Sequence, residues 1–161
     1  MEPVAWGQEW VNGFRFRGFL LVREVCGKEV SDLLENACGR ERNQLMEEVG
    51  ELIGKLHVKG FFQPVRLKDL ICAEEGLVLI DRETSKPWRS FFWKRQCMVS
   101  LARAVRRTVR DGYLIGVGSA RSFLLGYQRS VAARWVVSMP ELRKSLFSAI
   151  RREMKHRSIF Y

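Results

Sequence analysis

The residue types able to do chemistry lie mainly between positions 57 and 97: His57, Asp69, Cys72, Asp81 and Cys97, with the run Lys86-Pro87-Trp88-Arg89-Ser90-Phe91-Phe92-Trp93-Lys94-Arg95 among them. An imidazole titrates near neutrality and can serve as acid, base or ligand. His57, however, follows apolar Leu56 near the end of a helical pattern, where a structural hydrogen-bonding role is the simpler reading. Asp81 closes the apolar run Leu77-Val78-Leu79-Ile80 and by itself reads as the cap of a following turn. Asp69, beside Lys68, reads by itself as a solvated turn residue. Cys26, Cys38, Cys72 and Cys97 form no C-x-x-C pair, and His57 and His156 are remote from any ligand-like cluster, so the spacing argues against zinc. Gly116-Val117-Gly118-Ser119 before a helix resembles part of a phosphate-binding loop. Arg121 takes the place of its third glycine, so an ordinary interhelical turn is expected.

The aromatic and cationic run admits two readings. Rings that settle at headgroup level, with cations meeting phosphates, would suit Lys86, Trp88, Arg89, Phe91, Lys94 and Arg95 to a membrane surface or an anionic substrate. Alternatively Phe92 and Trp93 pack inward and the cations are solvated. Charge distribution bears on this choice. The 161 residues carry 28 Lys and Arg against 18 Asp and Glu, a net charge of +10. Residues 1–80 hold 10 basic and 13 acidic side chains, residues 81–161 hold 18 and 5, so the whole excess lies in the second half. A basic half also suits nucleic-acid phosphates, although no recognised nucleic-acid-binding motif accompanies it. The apolar runs fall far short of the roughly 18 residues of a membrane span. The N-terminus, Met1-Glu2-Pro3-Val4-Ala5-Trp6, lacks a basic start and an apolar stretch, so a cytoplasmic protein with reduced thiols is expected.

One α+β domain over residues 1–161 is expected, strands first and helices after. Val4 to Val11 and Phe14 to Val22 pattern as a hairpin about a two-residue Asn12-Gly13 turn. Val30, Leu33 and Leu34 suggest a short helix. Leu45, Val49, Leu52, Ile53 and Leu56 predict a longer amphipathic one over 41–58. Ile71-Cys72, a turn at Glu74-Glu75-Gly76, and a buried strand at 77–80 follow. Three helices complete the chain. The first spans 93–110 with Cys97, Leu101, Val105 and Val109 inward; the second spans 119–137; the third opens on the capping box Ser138-Met139-Pro140-Glu141.

Leu56-His57-x-x-Gly60, a loop, two short strands and a terminal Asp81 together resemble the catalytic loop and metal-binding strand end of protein-kinase-like folds. Phe19 to Leu34, Leu56 to Cys72, Leu79 to Glu83, Val99 to Ala104 and Phe123 to Tyr127 occur in the order and spacing of the bacterial lipopolysaccharide core kinases, the Kdo/heptose kinase-like family. The resemblance covers about residues 4–130. It implies a kinase-like large lobe, with 1–27 as hairpin and hinge-like segment and 28–161 as the helical lobe. The implied family activity is ATP-dependent phosphorylation of a lipopolysaccharide core sugar at the inner face of the cytoplasmic membrane. Asp81 and Asp69 would stand at the Mg²⁺ ligand positions.

Departures from the pattern limit that activity. The alignment puts Gln63 at the family's His, Pro64 at its Arg and Val65 at its catalytic Asp, and valine cannot accept a proton. Ser100 replaces the helix Asp that braces the catalytic loop, so a weaker brace is expected. The Gly-rich phosphate cover and the strand Lys have no counterpart in this sequence. The expectation is a degenerate, pseudokinase-like lobe, binding Mg²⁺ and ATP only if activity is retained. Two other classes stay open: a regulatory module docking a protein partner that supplies the missing lobe, and a basic binder of membrane or nucleic acid.

Overall fold

The computed structural model describes residues 3–11, 15–22, 24–80 and 91–155, and the side chains of 24–80 and 91–154. The protein is α+β. Strands β1 (Pro3–Val11) and β2 (Arg15–Val22) form an antiparallel hairpin with its own two-stranded sheet. Its register pairs Val11 with Arg15, leaving residues 12–14 between the paired ends, one more than the two-residue connection expected. The turn itself lies outside the described residues.

A second sheet has the order β3-β4-β5, from β3 (Lys28–Glu29), β4 (Leu70–Ala73) and β5 (Gly76–Leu79). The hinge-like segment of the sequence reading thus supplies a strand, with Lys28 opposite Cys72 and Glu29 opposite Ile71. Gly27 has no side chain because one would run into the Cys72 carbonyl. Gly76 turns the β4–β5 hairpin at φ 113°, a conformation that disfavours residues with a Cβ. The run 77–80 is less buried than its composition suggested. β5 is an edge strand, so Leu77, Val78 and Leu79 are half-buried and Ile80 is exposed.

Among the described residues five helices build the rest: α1 (Val30–Asn36), α2 (Gly39–Val58), α3 (Trp93–Arg110), α4 (Val117–Val131) and α5 (Met139–Lys155). Helix α3 follows the expected bounds, but Val109 is exposed while Thr108 is buried. The expected stripe stepped by four residues, and each such step overshoots a turn by about 40°, so three steps carry Val109 off the inward face. Helix α4 ends at Val131, six residues before the expected end. The amides of Arg134 and Trp135 both bond the Val131 carbonyl and turn the chain away. The α5 capping box forms as expected, the Ser138 amide donating to Glu141 Oε2 at 3.0 Å and its hydroxyl to the same oxygen at 2.7 Å.

Helix α2 packs on α4 with their backbones nearly touching. Gly50 and Gly54 of α2 face Phe123, Tyr127 and Ser130, and Gly126 of α4 faces Glu47 and Glu51. A Cβ at Gly50 would fall within the Phe123 carbonyl, and one at Gly126 within that of Glu47. The buried stripe of α2 is therefore Met46, Val49, Gly50, Ile53, Gly54 and His57, rotated from the leucine-rich stripe expected. Leu45, Leu52 and Leu56 pack at its margin. Around this seam the core gathers Val30, Leu34, Val65, Leu67, Leu70, Trp93, Cys97, Leu101, Tyr127, Val131, Leu142 and Leu146 from α1, α3, α4, α5, the loop before β4 and the start of β4.

The seam makes a direct prediction. Gly50→Ala or Gly126→Ala must push the two helices apart and should cost about 2–4 kcal/mol of stability in urea unfolding. Gly118→Ala, whose Cβ would lie 3.4 Å from the Asn43 side chain, should be neutral or slightly stabilising in the same assay.

Candidate functional site

The segment between α2 and β4 holds most of the residues with expected roles. Helix α2 ends with Gly60 at φ 89°, the Gly60 amide bonding the His57 carbonyl at 3.0 Å and the Phe61 amide bonding that of Leu56 at 2.9 Å. This is how a helix satisfies its last carbonyls before a change of direction. Residues 61–66 then run without regular structure into a 3₁₀ turn at Leu67–Asp69.

Among the described residues, four side chains hold this segment by a backbone carbonyl. Trp93 Nε1 donates to the His57 carbonyl at 2.8 Å and Arg134 Nη1 to that of Val58 at 3.0 Å. Ser100 Oγ donates to the Gln63 carbonyl at 3.1 Å and Arg107 Nη1 to that of Pro64 at 3.2 Å. Three of the four donors belong to α3. Ser100, expected to weaken the brace, supplies one of the bonds itself.

His57 links the same helix to the α2–α4 seam. It is 1% exposed, with Nδ1 2.8 Å from Tyr127 Oη and Nε2 3.1 Å from Ser100 Oγ. Hydrogen counting fixes the directions. Ser100 gives its only hydrogen to Gln63, so His57 Nε2 must donate to Ser100, and Nδ1 must accept from Tyr127. Cys97 lies in hydrogen-bond contact with the same Tyr127 hydroxyl. The result is a one-way chain, Tyr127 to His57 to Ser100 to the Gln63 carbonyl, with Cys97 beside its first member.

Burial keeps every member neutral. It lowers the His57 pKa to about 3. It pushes the Cys97 thiol up to about 12, against smaller opposing effects from the Tyr127 bond and the Arg134 charge. It raises Tyr127 as well, aided by Cys97. Tyr127 stands between thiol and imidazole, so Cys97 and His57 make no nucleophile and base pair. The structural reading of His57 is the one its surroundings fit.

The residues assigned by family likeness are placed as follows. Val65 is 6% exposed and belongs to the core. Asp69, expected as a solvated turn residue if it held no metal, is 8% exposed. Its carboxylate takes both donors of Arg66, Nε at 2.6 Å and Nη2 at 2.7 Å. A bidentate guanidinium fork occupies both carboxylate oxygens, so Asp69 as placed does not fit a metal ligand. The Asp69 carbonyl accepts the Ile80 amide at 2.9 Å, which extends the β4–β5 pairing by one bond. Asp81 follows Ile80 in the chain and lies outside the described residues, as do Lys86, Trp88 and Arg89. Among the described residues no three His, Cys, Asp or Glu side chains converge as a metal site would require.

In the aromatic and cationic run the two sequence readings divide by residue. Trp93 is buried, whereas Phe91 is 98% and Phe92 62% exposed, and Lys94 and Arg95 are exposed. The Gly116–Ser119 segment, expected as an interhelical turn, instead opens α4, with Gly116 as its N-cap, Val117 to Ser119 in its first turn and Ser119 Oγ donating to Asn43 Oδ1 at 3.2 Å. The part sequence reasoning missed is the Tyr127, Cys97 and Ser100 partnership of His57. Its signal was present in the spacing Gly50-x-x-x-Gly54, which marks a close helix contact on the same face as His57.

Comparison with protein-family models, with curated proteins and with solved structures finds no match to this chain. No described helix is long and apolar enough to cross a membrane.

The buried histidine predicts a pH dependence. Native His57 stays neutral to about pH 3, while in the unfolded chain it takes a proton near 6.5. Its contribution is therefore full above 6.5 and is lost as pH falls toward 3, by up to about 1.4 kcal/mol per pH unit. Urea unfolding of wild type and His57→Gln across this window should show that excess slope in wild type alone. Ser100→Ala, which strands both the imidazole and the Gln63 carbonyl, should cost about 1–3 kcal/mol at neutral pH.

Proposed function

We propose that this protein is a degenerate relative of the lipopolysaccharide core kinases, a kinase-like large lobe that serves as a regulatory or scaffold module and has little or no phosphotransferase activity of its own. The observation that carries this reading is Val65. At the position where the family places its catalytic base stands a buried aliphatic side chain, part of the core, in a loop held by four side chains. Phosphoryl transfer needs a group that orients the acceptor hydroxyl and cations that neutralise the phosphates. A valine cannot do the first, and Asp69, engaged by Arg66, offers no open carboxylate for the second. Magnesium and ATP belong to the family's chemistry, and no step through them is derived for this chain. The braced loop supports a retained binding shape, suited to docking a protein partner.

The test is transfer of labelled γ-phosphate from Mg²⁺·ATP to lipopolysaccharide core by the purified protein. No transfer above the level of Asp81→Asn is expected, whereas transfer that Asp81→Asn abolishes overturns the reading. Val65→Asp should restore no activity. It should instead lower stability by about 3 kcal/mol or more, because it buries a carboxyl group in the core.

A further inference from the structure

The start of α3 and the link from α4 to α5 meet in a corner built of tryptophan and cations. The Trp93 and Trp135 rings stand edge to face, 6.3 Å apart at 90°. The Arg134 guanidinium lies 5.0 Å over the Trp93 ring and the Lys94 ammonium 5.6 Å over that of Trp135. This frame is fixed from below by the Trp93 bond to the His57 carbonyl and the Arg134 bond to that of Val58.

The side chains mounted on it are directed to solvent. Phe91 is 98%, Phe92 62% and Val136 93% exposed, and the two phenylalanine rings pack on each other at 5.6 Å. Lys94, Arg95 and Arg134 are exposed beside them, and neither 91–95 nor 132–137 contains a carboxylate. Helix α5 leaves this corner and continues the pattern. Its exposed positions include Arg143, Lys144, Arg151 and Arg152, with Phe147 58% and Met154 59% exposed between them. Glu153 is drawn off this face by Arg103 and Arg106 of α3, each at 3.5 Å.

Exposed apolar groups of this size on a firm frame mark a surface made to be covered. The chemistry of the cover follows from the mixture. Cations alone would suit any polyanion, but Val136 and Met154 offer no ring face to a nucleobase, and stacking is what aromatic side chains contribute to single-stranded nucleic acid. A bilayer bearing anionic lipid accepts both components at once, the apolar side chains at the acyl boundary and the cations among the phosphates. We infer that the Trp93–Trp135 corner docks the protein on an anionic membrane surface, with Phe91, Phe92 and Val136 entering the interface and Lys94, Arg95, Arg134 and the α5 cations meeting lipid phosphates. This docking does not depend on the kinase-like reading.

Co-sedimentation of the full chain with vesicles of phosphatidylcholine, or of an equimolar phosphatidylglycerol and phosphatidylcholine mixture, tests it. Binding to the mixed vesicles only, weakened by salt, is expected. Phe91→Ser with Phe92→Ser should weaken it about tenfold or more, and Lys94→Glu with Arg95→Glu similarly. All four side chains are exposed, and Lys94 lies over the Trp135 ring, so both double variants should stay folded with melting temperatures only slightly lowered. Equal binding to neutral vesicles would overturn the inference. So would full binding by the phenylalanine double variant, or displacement from mixed vesicles by a single-stranded oligonucleotide bound more tightly than the lipid.

Discussion

The near contact of the α2 and α4 backbones is the constraint on which the rest of the structure depends. Three glycines permit it, Gly50 and Gly54 on one helix and Gly126 on the other, and at the first and last any side chain would displace a carbonyl. Because the axes approach so closely, Tyr127 reaches across the seam to His57 at the far end of α2. At ordinary helix spacing of 8–10 Å with side chains between, the phenol and the imidazole would each need another partner. Glycine is unfavourable in a helix by about 1 kcal/mol, and here that cost is offset by contact between backbones and by a buried polar chain with its hydrogens arranged in one direction.

That polar chain transmits the seam's geometry to the loop. His57 sits on the α2–α4 face, Ser100 on α3, and the Gln63 carbonyl in the loop, so three separate parts of the molecule share one file of hydrogen bonds. With the Trp93, Arg107 and Arg134 bonds, the loop is held by α3 and by the link that follows α4. The organisation would suit a catalytic loop, yet the side chain at its centre is Val65, turned into the core. The loop's course is thus fixed through its main chain by four bonds, and the side chain at its centre has no group able to exchange a proton.

Much of the fold was legible from pattern. The α3 bounds, the α5 capping box and the β4–β5 hairpin follow from apolar period, Ser-x-x-Glu spacing and a glycine in the turn, all of which act within a few residues. What was not legible depended on distant partners. The inward face of α2 is set by glycines, which hydrophobic periodicity does not count, so the leucine stripe pointed to a face one position away. The end of α4 lies in a run, Ala132 to Val137, without Gly or Pro, and it is Trp135 turning to meet Trp93 that stops the helix. Asp69 had the look of a turn residue beside Lys68, yet Arg66, three positions back, decides its state. The candidate site was legible only as a set of positions. The bonds that hold the loop and His57 join residues 36 to 76 apart in sequence, a range over which spacing carries no information.

All four side chains that hold the loop grasp main-chain oxygens. A carbonyl is present whatever residue bears it, so these four bonds do not depend on which side chains stand at residues 57, 58, 63 and 64. Drift can therefore replace the loop's chemistry while leaving its course intact, and a loop of this construction can outlive one activity and be available to another.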